Sequence, residues 1–256
     1  MRSLSRVALL GALAAVAAAP VASAATLDMT VSPNKRGTLT LGAPTTFTAN
    51  FASPERNATL DGSVRLKAIV AKLPDQLVFN PIPFTACDAV KFVATRSCPS
   101  ATKLGEADIV ADAGGDLTNL PAKATLYFGS GYSVLARIQA TRPAVIDEAV
   151  VGQLESSATP TDSSAGFGLQ MYIPVSPSVQ MPLDGVYPIV KSFKATIKPM
   201  TKKVKVDGVK GKYTMPVAGL GPCKTLKFRV GAYYTNAAGV DTIAQDVADD
   251  SGKCKK

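Results

Sequence analysis

The sequence predicts an all-β fold, an antiparallel β-sandwich of about a dozen strands held by disulfides, and three observations predict it. Apolar and polar residues alternate with period two in run after run. Clusters of Gly, Pro, Asn and Asp separate the runs at the spacing of a sandwich or barrel. After the first 24 residues no amphipathic stretch is long enough for a three-turn helix.

The N-terminal segment belongs to none of these strands. Arg2 and Arg6 precede an apolar run from Val7 to Ala19, and Ala22-Ser23-Ala24 supplies the small residues that signal peptidase accepts. The run has 13 residues, short of the roughly 20 that cross a bilayer as a helix. Residues 1–24 therefore read as a signal peptide cleaved after Ala24. Ala25, where a lipoprotein would carry Cys, opens a secreted, extracytoplasmic chain of 232 residues. That length suffices for one large core without a metal.

Strands then follow in order. In the first clear run Val64, Leu66, Ala68 and Val70 face one way and Arg65 and Lys67 the other. The same alternation covers 124–128, 134–138, 168–173 and 226–230. Ala144 to Leu154 is the best helical stretch, but Val150, Val151 and Gly152 weaken it. The polar, low-complexity loop 156–165 divides the mature chain, as a hairpin tip or a linker, and the few apolar strands on each side favour a single unit over 25–256. Eighteen prolines, several of them ending strands, suit antiparallel sheets with blunted edges.

Four cysteines in an exported chain read as two disulfides. Of the three pairings, Cys87 with Cys98 and Cys223 with Cys254 close the shortest loops. Zinc is the rival reading, but the spacings do not form paired CxxC knuckles and the chain has no histidine. The missing histidine also removes Ser-His-Asp and Cys-His systems, histidine general bases and most catalytic zinc sites. No cofactor is expected.

Cys87, then Cys98-Pro99 and Gly105, then a strand and the segment Leu120 to Phe128, occur in an order that resembles uncharacterised exported β-rich proteins of Gram-positive actinobacteria. Cys223 stands where that group has a later Cys. The resemblance spans about residues 70–235. It implies a β-sandwich and an exported location, and no activity.

Other motifs reduce to local structure. Ser100 and Lys103 match the S-x-x-K of serine acyl enzymes, but Ser-Asp-Asn and Lys-Thr-Gly partners are absent and Pro99 places the tetrapeptide in a turn. Glu55, Glu106, Glu148, Glu155 and the aspartates are the carboxylates open to glycoside hydrolysis, and without Trp to stack on sugars none stands out. Asp112 to Asp116 and Asp246 to Asp250 lack the spacing of a calcium loop and read as turns, so no metal is expected. Asn57-Ala-Thr59 is a glycosylation sequon only in a eukaryotic route, and the Ala-rich signal is bacterial in style.

Charge is the feature with most functional content. From Gly185 to Gly231 ten lysines and one arginine face a single acid, Asp207, for a net +10, whereas 25–184 carry −2 and 232–256 carry −1. Parity sets Lys194 and Lys198, Lys203 and Lys205, Lys210 and Lys212, and Lys227 and Arg229 opposite the apolar positions of their strands. If these strands are neighbours, eight cations share one outer sheet face. The expectation is a non-enzymatic exported protein binding an anionic cell-wall polymer or membrane surface through that face. A lysine-rich face that only keeps the sheet soluble is the plainer reading. The alternatives are a carboxylate-dependent secreted hydrolase and a structural module of a surface assembly. Few aromatics are present to stack bases, which argues against nucleic acid.

Overall fold

The computed structural model describes residues 25–32, 43–44, 46–53, 64–75, 77–79, 84–156, 160–206, 208–215, 217–218, 226–235 and 244–252. Residues 1–24, read above as a signal peptide, Cys223 and Cys254, expected to pair, Glu55 and Asn57 to Thr59 lie outside these residues.

In chain order the strands are β1 (Thr26–Ser32), β2 (Ala43–Pro44), β3 (Thr46–Ala52), β4 (Arg65–Pro74), β5 (Leu77–Val78), β6 (Lys103–Asp112), β7 (Leu120–Phe128) and β8 (Ser133–Ala140). They continue with β9 (Ile146–Ser156), β10 (Phe167–Pro174), β11 (Ile189–Ile197), β12 (Met200–Val206), β13 (Val209–Met215), β14 (Val217–Ala218), β15 (Leu226–Thr235) and β16 (Ala244–Gly252). Short helices α1 (Ala89–Thr95), α2 (Pro160–Ala165) and α3 (Pro177–Gln180) sit between them. No helix of the described residues is long and apolar enough to cross a membrane.

Eleven strands form one antiparallel sheet in the order β1-β3-β11-β6-β7-β8-β9-β10-β4-β15-β16. Its middle, β6 to β10, is a meander of consecutive hairpins. The flanks come from distant chain, because β11 pairs with both β3 and β6, and β4 pairs with both β10 and β15. The sheet curls until its outermost strands, β1 and β16, lie alongside each other. The two packed layers are thus opposite sides of one nearly closed sheet. Phe51 of β3 packs with Ala71 of β4 and Val230 of β15 across the interior, and the Phe47 and Phe228 rings meet edge to face at 5.8 Å.

Several local expectations change in the structure. Residues 146–156 are the strand β9, paired with β8 from Ile146 to Gln153, because β-branched Ile146, Val150 and Val151 fit a pleated ladder better than a helix. The loop 156–165 contains α2 and joins two hydrogen-bonded strands, since β9 pairs with β10. Alternation along β4 breaks at Lys67, where the register with β15 shifts, so that Leu66, Ile69, Ala71 and Leu73 all face the interior. Asp246 to Asp250 lie on a strand, β16, and not in a turn. Helix α1 was not anticipated. It starts at an Asp88 side chain that accepts from Lys91 N at 2.8 Å, ends at Arg96 in the left-handed region, and buries Phe92 against Leu135. The Cys87–Cys98 disulfide, with Cα atoms 5.6 Å apart, ties the two ends of this helical segment together.

Candidate functional site

Two features hold chemical interest, a basic ribbon at one end of the barrel and an apolar chamber inside it. The ribbon is the hairpin β12–β13, which pairs with no other strand among the described residues. Its base is anchored where Met200 and Met215, opposite each other in register, are both buried in the main core cluster with Leu104 and Phe128. Beyond them Lys202, Lys203, Lys205 and Lys210 are exposed. The register sets Lys203 opposite Lys212 and Lys205 opposite Lys210, so four lysine positions occupy a two-by-two patch on one ribbon face. The Thr201 and Thr214 hydroxyls, 3.3 Å apart, continue that face toward the base.

The other four cations of the expected face lie elsewhere. Lys194 and Lys198 are exposed on and just after β11, and Lys227 and Arg229 lie on β15. Strands β3, β1 and β16 separate β11 from β15 around the sheet, and β12–β13 leaves the sheet altogether. A single eight-cation face therefore does not form. Though close in sequence, β11 and β15 are not neighbours, because they insert at opposite flanks of the meander. Arg229 is also engaged. Its guanidinium lies 5.3 Å from the Phe167 ring centroid, and its strand position is opposite Asp249.

The acidic candidates are likewise distributed as structural groups. The Lys103 ammonium pairs with Glu106, and that contact, with lesser help from Lys123 and Lys198, holds the Glu106 carboxyl below its usual range, the opposite of what a general acid needs. Asp112 accepts from Asn119 N at 2.7 Å and lies 3.5 Å from the Lys191 ammonium, bracing the 113–118 turn. Ser100 stands in a one-turn 3₁₀ helix, Ser100–Thr102, that is capped by Lys103 and leads directly into β6. No cluster of three metal-ligating side chains occurs among the described residues.

The chamber results from alanines at inward positions. Ala49, Ala71, Ala107, Ala122, Ala136 and Ala195 line it, each from a different strand, and their short side chains leave a cavity of about 210 Å³ where larger residues would close the core. One end is sealed by buried Phe47, Leu77 and Phe228, beside the short sheet β2-β14-β5. The other end is lined by Pro121, Arg142, Pro143, Val179, Pro182 and Pro188, all exposed or half-buried. Among the described residues, Arg142 is the only charged one of the lining.

This end of the β8–β9 hairpin is held from outside. Ala136 and Ile138 face the chamber, so Arg137 points away from it and clasps Asp147 with two hydrogen bonds, Nε to Oδ1 at 2.7 Å and Nη2 to Oδ2 at 2.8 Å. The guanidinium pulls the Asp147 carboxyl below its ordinary range, and the carboxylate raises Arg137 in turn. Neither Arg142 nor the chamber was singled out from the sequence. The signal present there was alanine recurring at alternate positions of several strands.

Compared with known families, curated proteins and solved structures, the chain matches none.

Proposed function

We propose that this protein is an exported, non-catalytic binding protein whose lysine ribbon holds an anionic polymer of the cell envelope. The observation that carries the reading is the register of β12 and β13, which sets Lys203 against Lys212 and Lys205 against Lys210. Like charges directly opposite each other on a ribbon are destabilising. A ligand with closely spaced anionic groups removes that repulsion and gains charge-assisted hydrogen bonds. Among the described residues, no carboxylate lies within ion-pair distance of Lys203, Lys205 or Lys210. The buried base of the ribbon fixes the patch in place without using the lysines. The signal-peptide pattern of residues 1–24 and a disulfide suited to an oxidising compartment both support work outside the cytoplasm.

The ribbon tip supports a second reading. Val209, next to the turn and beside Lys210, is 67% exposed, and an apolar tip flanked by lysines also suits the interface of an anionic bilayer. Retention on purified anionic wall polymer and sedimentation with anionic vesicles at near-physiological salt separate the two. The variant K203Q/K205Q/K210Q/K212Q should lose at least about tenfold in polymer affinity while unfolding within about 0.5 kcal/mol of the native protein, since exposed substitutions cost little. The control K91Q/K123Q/K194Q/K227Q removes the same charge from exposed positions off the ribbon and should change affinity little. Equal losses in both variants would mean that net charge alone matters, and absence of retention by the native protein would end the proposal.

A further inference from the structure

We propose that the chamber is a binding site for a single-chain aliphatic amphiphile with an anionic head, with its chain inside the barrel and its carboxylate on Arg142. The inference is independent of the lysine ribbon, which emerges at the other end of the barrel. It starts from the composition of the lining. Among the described residues, every one in contact with the space is apolar except Arg142, which stands among prolines at the half-buried end. Among the described residues the Arg142 guanidinium has no hydrogen-bond or ion-pair partner. An apolar cavity with one charged group at its mouth matches a ligand that is apolar along its length and anionic at one end.

Size restricts the ligand further. At about 30 Å³ each, the share of a water in the liquid and close to that of a methylene, 210 Å³ holds a chain of at least about seven carbons. A two-chain lipid carries several times that number, so a single chain is the closer match to this volume. The rim suits the same chemistry. Val145 is 85% exposed on the β8–β9 hairpin, and Met181 and Leu183, each 41% exposed, flank Pro182 on the facing segment. Exposed apolar side chains on both sides of the entrance give an acyl chain a path that avoids water until it reaches the interior. The Arg137–Asp147 clasp on the outer face of β8 and β9 steadies the hairpin that carries Arg142.

Decanoate and decan-1-ol, titrated into the mature protein by displacement of a fluorescent apolar probe, test the assignment. The native protein should bind both, decanoate more tightly. R142Q should weaken decanoate about tenfold, the usual worth of a charge-assisted contact, and leave decan-1-ol within about twofold. A122F should abolish binding of both by filling the chamber. R142Q, a change at an exposed side chain, keeps the test decisive if A122F fails to fold. The ribbon variant K203Q/K205Q/K210Q/K212Q should bind decanoate as the native protein does, so failure of one proposal is distinguishable from failure of the other. Three results would each overturn the chamber assignment: no binding of decanoate at millimolar concentration, equal losses for acid and alcohol in R142Q, or tighter binding of a two-chain phosphatidylglycerol than of decanoate.

Discussion

Gly105 sits where β6 runs against β11, with no room for a side chain. A β-carbon there would run into the Thr196 carbonyl oxygen and stand 3.0 Å from the Ile197 Cα, and both obstacles are backbone in a paired strand. The adjacent Leu104 carbonyl accepts from Lys198 N at 2.8 Å, so the chain cannot move aside without losing that bond. Gly105→Ala should therefore destabilise by about 1–3 kcal/mol, as forced overpacking does, and thermal unfolding reads the loss. An unchanged midpoint would mean that β6 and β11 approach less closely than described. The Cys-Pro…Gly motif that includes Gly105 was visible in the sequence. Its reason was not, because the obstructing carbonyl belongs to a residue about ninety positions away. Arg142 was hidden for a similar cause. Nothing in its own segment shows that six distant strands place alanines beneath it.

At the scale of elements, the legible features were those whose signal is local. Period-two alternation marked β7, β8, β10 and β15, and Asp207-Gly208 marked the turn of the ribbon with its lysine parity. Helix α1 escaped because seven residues, two of them exposed valines, make a weak helical pattern, and its stability comes from Asp88, the buried Phe92 and the disulfide. The bulge in β4 escaped because a register shift depends on the partner strand. The Cys87–Cys98 bridge closes a short loop around α1 and should stabilise by about 3 kcal/mol on loop entropy. The double variant C87S/C98S should lose about that much in denaturant unfolding, with amide exchange rising first in α1. Equal stability with and without the bridge would contradict the role given to it.

Over the whole molecule, strand order decides what sequence proximity could not. The segment Gly185 to Gly231 carries a net +10, yet the curled sheet distributes its cations, sending β11 and β15 to different flanks and gathering four lysine positions on one face of the ribbon. The ribbon leaves from the Ile197 end of β11 and the chamber opens at the Ile189 end, so nine residues at about 3.3 Å each set the two features roughly 30 Å apart. On the two proposals, a polyanion held on the ribbon would leave the mouth of the chamber open. The basic patch is the central claim, and its most direct test is the salt dependence of affinity for purified anionic wall polymer. Each cation that displaces a condensed counterion contributes about 0.7–0.9 to the slope of log affinity against log salt on a strongly charged polymer, so K203Q/K205Q/K210Q/K212Q should lower the slope by about 3. A slope unchanged by those four substitutions would show that the ribbon is not where the polymer binds.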